Sequence, residues 1–203
     1  MEKTKKYNGL DLFLMEYENL DTDGIFAMSL VDIPAVEKNF VKLSKQCEGI
    51  CHTLTKANLS DDSKRIITGV ALIPDKPILR VFDDRKFYIQ FSKDTVKRIA
   101  EEYITKRNVT VAHAVNVNNI ALLESWIVED EYHDKSNMYN MKAPLGSWII
   151  SMRIDNDLVW DEVKQMNLRG FSIEGLFTQK VALKSDDMYD ELWGDIRNFA
   201  SNL

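Results

Sequence analysis

Ser172 stands between two glycines in the apolar segment Leu168-Arg169-Gly170-Phe171-Ser172-Ile173-Glu174-Gly175. Far upstream, His113 closes a second apolar run, Val109-Thr110-Val111-Ala112-His113. Each side chain reads as lying on a strand or at its end, and strands distant in sequence can meet in one sheet. Serine is a poor nucleophile until a base takes its proton, and imidazole titrates near neutral pH. Together the two residues have the chemistry of a serine hydrolase. Spacing alone also fits plainer roles: a small residue packed in a sheet for Ser172, a hydrogen-bonded strand end for His113.

The elements that must position these side chains follow from hydrophobic patterning and punctuation. Strands are predicted over Gly9–Tyr17, Gly24–Val31, Arg65–Ile73, Lys86–Phe91, Val109–His113, Ile120–Glu129, Gly146–Ile154 and around Ser172. A helix should start after Ser92, a capping residue, with Asp94 at its positive end and Val96, Ile99, Ala100 and Tyr103 at helical spacing. A short helix capped by Asn156 should run through Gln165, just before the Ser172 strand. Residues 42–64 are polar and aperiodic and read as a connector within one domain spanning 1–184. Met188, Leu192, Ile196 and Phe199 form the apolar stripe of a C-terminal amphipathic helix over 185–203. Many strands with few helices and no regular βαβ alternation indicate an α+β fold with a mixed, largely antiparallel sheet, open or closed into a barrel.

Composition sets bounds. The 203 residues suit one globular domain with a real core. A net charge of -6 argues against bulk nucleic-acid binding, which needs clustered Lys and Arg. No apolar run approaches the roughly 20 residues of a membrane helix, and no signal-like block follows the basic start, so a cytoplasmic protein is expected. Cys47, Cys51 and His52 offer three ligand types, but without a second cluster they read as reduced thiols in a polar connector, and no metal or cofactor is expected. His133 lies in an acidic stretch, Glu129–Asp134, that reads as a solvated loop. Trp126, Trp148 and Trp160 read as core or groove aromatics.

Five segments in order, Arg65–Arg80 (RIITGVALIPDKPILR), Phe87–Tyr103 (FYIQFSKDTVKRIAEEY), Leu123–Val128 (LESWIV), Gly146–Ile154 (GSWIISMRI) and Leu168–Gly175, resemble the XkdF-like serine proteases of tailed bacteriophages. Those belong with the prohead maturation proteases, whose fold is similar to the β-barrel of herpesvirus assemblin. The resemblance implies a maturation endopeptidase inside the assembling procapsid in the host cytoplasm. Its partners would be the major capsid protein, the scaffold protein and itself, through autocleavage and homodimerisation, with no nucleic acid or membrane. It implies Ser172 as nucleophile and His113 as general base. The family histidine is usually followed by Asp, where this chain has Ala114.

The histidine needs an orienting partner on its other nitrogen. In related proteases this is an acid on a strand after the serine. Here the segment similar to that strand, Gly24–Phe40 (GIFAMSLVDIPAVEKNF), lies near the N-terminus, which implies a circular permutation. The position expected to hold the acid reads Ala27, and Asp21 and Asp23 nearby read as turn residues. Glu174 is the first candidate to replace it. Two residues along a strand is about 6.6 Å, on the face of Ser172, a gap that one imidazole with a hydrogen bond from each nitrogen can span. Glu124, on the strand after His113, is the second. Two other functions stay open: a non-catalytic assembly factor that binds capsid protein, and an unrelated esterase. Against the esterase, Glu174 stands where a Gly-x-Ser-x-Gly elbow needs glycine.

Overall fold

The computed structural model describes residues 5–18, 22–36, 41–43, 64–82 and 84–181. In chain order its strands are β1 (Lys6–Tyr7), β2 (Leu10–Glu16), β3 (Gly24–Val31), β4 (Val41–Leu43), β5 (Ile66–Leu72), β6 (Ile78–Phe82) and β7 (Arg85–Phe91). Helix α1 (Lys93–Lys106) leads to β8 (Val109–Val111), β9 (Val115–Asn116) and β10 (Ile120–Ile127). A 3-10 turn (Lys135–Tyr139), β11 (Trp148–Ile154), α2 (Asp157–Lys164), β12 (Gly170–Leu176) and β13 (Thr178–Val181) complete the described chain. The predicted helix over 185–203, the cysteine cluster and most of the predicted connector lie outside the described residues. The connector's first residues belong to β4.

The fold is α+β, as expected, with parallel β2–β7 and β3–β8 pairs among antiparallel ones. The strands form three sheets in the orders β1-β2-β7-β6 with β13 also on β2, β10-β11-β5-β4, and β12-β3-β8-β9. The expected closed barrel is not what these strands make. A strand has two hydrogen-bonding edges. On β5, β11 takes one and β4 takes the other over Ile66–Thr68. β12 lies close beside β5 but forms no ladder with it among the described residues.

Local chemistry explains both helices. Ser92 accepts from Thr95 N–H at 3.2 Å and caps α1. Val96, Ile99, Ala100 and Tyr103 are buried as their spacing predicts, each larger side chain contributing about 1.5–3 kcal/mol. The helix stops where Arg107 turns left-handed and returns its N–H to Tyr103 O. Asn156 caps α2 by accepting from Val159 N–H at 3.2 Å, with Val159, Trp160 and Val163 buried. α1 packs on β3, β10 and β11, and α2 on β11. In β11 all residues but Arg153 are buried, the pattern of a strand covered on both faces. Trp148 and Trp160 are core residues.

The start of β3 is fastened to α1 through Glu102. Its carboxylate accepts from Tyr17 Oη and, at 3.1 Å, from Ile25 N–H, and it pairs with Lys106. Burial pushes this carboxyl up, but the bonds from Lys106, Tyr17 and Ile25 outweigh it and hold it below the usual range. β3 is thereby set as the second strand of the sheet that carries Ser172.

Candidate active site

The site is built on the sheet ordered β12-β3-β8-β9. Arg169 anchors the entry to β12. Its N–H donates to Val31 O at 2.8 Å and its Nε to Asp32 Oδ1 at 2.6 Å. The antiparallel register then puts Ser172 opposite Ser29 and Glu174 opposite Ala27. The parallel register of β3 with β8 puts Ser29 opposite Thr110. Ser172, Ser29 and Thr110 thus form a row of hydroxyls on one face, exposed by only 5%, 0% and 6%. Glu174 follows Ser172 by two residues on that face. The ladder shifts between Glu174 and Gly175. A Cβ on Gly175 would sit 2.5 Å from Gly24 O, so this position requires glycine for the close approach of the two backbones.

His113 is not the last residue of a strand, as the sequence suggests, but the centre of the turn between β8 and β9. Ala112 and His113 have φ of 51° and 56°, a left-handed pair that L-residues adopt at a cost of order 1 kcal/mol each. Three bonds hold the turn. Ala112 N–H donates to Leu30 O at 2.9 Å, Ala114 N–H to Val111 O at 3.1 Å, and His113 N–H to Ser29 Oγ at 2.9 Å. The turn aims the imidazole back along the sheet.

There it meets the first candidate acid. His113 Nδ1 lies 3.1 Å from Glu174 Oε1, and Thr110 Oγ1 donates to the same oxygen. A carboxylate oxygen accepts here from the imidazole tautomer protonated at Nδ1, the form that keeps Nε2 as the basic nitrogen. The arrangement has the logic of a catalytic histidine oriented by an acid, with a serine on the acid's own strand. No hydrogen bond joins Ser172 Oγ to the His113 ring.

A family model described as "Putative phage serine protease XkdF" matches residues 52–181. The chain belongs to this family. No curated protein and no solved structure gives a significant match. The matched stretch of this XkdF-family protein contains Thr110, His113, Ser172 and Glu174, while Ser29 precedes it.

The second candidate acid of the XkdF-family chain lies elsewhere. Glu124 belongs to the β10-β11-β5-β4 sheet, where Lys135 pairs with it at 2.8 Å and Ser151 Oγ donates at 3.1 Å. The Lys135 ammonium holds its carboxyl below the usual range. Asp23 accepts from Glu18 N–H and Thr178 Oγ1, as a turn residue does. Asp21 lies outside the described residues. His133 pairs with Asp130 in an exposed turn. Among the described residues no helix is long and apolar enough to cross a membrane.

Ser29 and Thr110 were not foreseen as parts of the site. The available signal was a hydroxyl at an inward position of each of two apolar strands, Gly24–Val31 and Val109–Val111. Thr is an ordinary strand former, so that signal gains meaning only once the register is known.

Proposed function

We propose that this protein is a phage prohead maturation endopeptidase with Ser172 as nucleophile, His113 as general base and Glu174 as the orienting acid. The observation that carries the reading is the 3.1 Å contact between His113 Nδ1 and Glu174 Oε1, made by an acid two residues along the strand from the serine. Ser172 Oγ attacks the scissile carbonyl while Nε2 of His113 takes its proton. Glu174 keeps the Nδ1 proton in place and stabilises the imidazolium. The imidazolium then protonates the leaving amine as the C–N bond breaks. Water, deprotonated by the same nitrogen, releases the acyl group from Ser172. Membership of the XkdF family supports the protease class. The substrates we assign are the scaffold, segments of the major capsid protein, and the chain itself, within the procapsid.

The pairing of β12 with β3 supports the circular permutation of an assemblin-like arrangement. β3, which carries the segment similar to the relatives' strand after the serine, pairs antiparallel with the serine strand β12. The register adds a second point: Ala27, where the relatives' acid is expected, faces Glu174. On this reading Glu174 supplies, from the paired strand, the carboxylate expected at Ala27.

Two observations favour the non-catalytic assembly factor: Ser172 is only 5% exposed, and no hydrogen bond joins it to His113. Catalytic hydrogen bonds are often unformed before substrate binds, so the enzyme reading is preferred. Co-expression with the neighbouring capsid and scaffold proteins tests it. Discrete cleavage products with the wild type that vanish in Ser172→Ala are expected. Identical uncleaved particles from both would sink the protease reading and favour the binding role.

A further inference from the structure

The shared oxygen of Glu174 is the feature that the three-residue mechanism does not explain. Oε1 receives two donors at once, the Nδ1 side of His113 and the hydroxyl of Thr110. Glu174 has three rotatable bonds and is partly open to solvent, its side chain 26% exposed. Left to itself such a carboxylate samples several rotamers, in most of which Oε1 would leave the imidazole. Thr110 is suited to prevent this. It is buried, β-branched and stiff about χ1, and it sits on β8, three residues before His113. Its backbone is pinned by the β3 and β9 ladders on either side. It thus ties the acid on β12 to the strand that delivers the base, across the full width of β3.

We propose that Thr110 is a positioning residue for catalysis, whose hydroxyl fixes the Glu174 carboxylate so that Oε1 faces His113 Nδ1. This rests on the serine-protease reading above. Thr110 does not touch the reacting atoms and acts only through Glu174. A Thr110 that merely filled its buried position would tolerate valine, which has the same shape without the donor.

The test uses the full chain and the rate of covalent labelling by a fluorophosphonate probe, with thermal unfolding midpoints as a folding check. Ser172→Ala must abolish labelling; if it labels like wild type, the protease reading falls and the positioning role with it. Given a silent Ser172→Ala, Thr110→Val is expected to label about ten-fold more slowly, the size of a lost hydrogen bond to a charged group. Thr110→Ser, which restores the donor, should recover to within about two-fold of wild type. Thr110→Ala, which leaves space rather than a methyl against the carboxylate, is the second variant and should slow labelling like valine. In a Glu174→Gln background, Thr110→Val should cause no further loss, because residues acting as a unit are not additive. Wild-type labelling by folded Thr110→Val, or the same ten-fold loss with and without Glu174, would overturn the assignment while leaving Ser172 as nucleophile.

Discussion

Two carboxylates in this molecule have nearly the same surroundings and different chemical prospects. Glu174 accepts from a threonine hydroxyl and faces the nitrogen of His113. Glu124 accepts from a serine hydroxyl, itself bonded to Thr68, and faces the nitrogen of Lys135. Both belong to strands and both pairs are partly exposed. The partner's titration decides between them. Lysine stays charged throughout the working pH range, so its pair with Glu124 is a fixed electrostatic contact, further held by the Lys135 ammonium 3.9 Å over the Trp126 ring. Histidine can give and take a proton near neutrality, so in the proposed mechanism the same geometry at Glu174 steers a base. The proposed nucleophile adds to the contrast: Ser172 lies on the strand of Glu174.

The comparison is open to attack from its largest expected effect downward. Replacing the two nitrogen bases should separate the sites most. His113→Gln is expected to slow probe labelling or cleavage by about 10⁴-fold, the scale for losing a triad member. Lys135→Met should leave the rate within about two-fold and cost at most about 1 kcal/mol of stability, as an exposed ion pair does. Similar rates from the two variants would erase the distinction.

The acids come next. Glu174→Gln should lower activity by about 10³-fold or more, because an amide can hold the wrong imidazole tautomer. Glu124→Gln should retain activity and lower the urea midpoint slightly. Full activity in Glu174→Gln would end its role as orienter. Loss confined to Glu124→Gln would transfer that role to the other sheet.

The smallest effect concerns pH and stability. Glu124 is held below its ordinary carboxylate value by Lys135. A depressed acid contributes stability above its unfolded pKa, about 4.3, and loses it as pH falls through the lower folded value. The stability gap between wild type and Glu124→Gln should therefore be constant from neutrality to about pH 5 and shrink in more acid solution. Urea unfolding at several pH values measures it. A gap that widens toward acid would contradict the assigned pairing.

Much of the scaffold was legible because its signals are local. Ser92 and Asn156 announce helix starts by side-chain capping, and the apolar spacing after each fixes the buried face. The β3 boundaries follow directly from Gly24 and the break before Pro34. Strands without strong local signals were missed: β6 follows Pro77, and the short β1, β9 and β13 depend on neighbours for their pairing. Barrel closure was misjudged because it depends on which edge of β5 is free, a property of the assembled sheet. At the site, residue types made Ser172 and His113 candidates and the family resemblance gave them roles, while the two-residue spacing from Ser172 brought in Glu174. The left-handed turn at Ala112 and His113 was hidden, since two of the three bonds that hold it reach across to Leu30 and Ser29 on another strand. Thr110 was hidden because its hydroxyl meets Glu174 only once β12 and β8 flank β3.

That middle strand has a consequence for how the molecule can be divided. The stretch that carries the family likeness holds the alcohol, the imidazole and the acid, yet the plank on which they are mounted comes from before it. Cut down to its recognisable part, the protein would keep every reagent of the proposed reaction and lose the bench on which they are laid out.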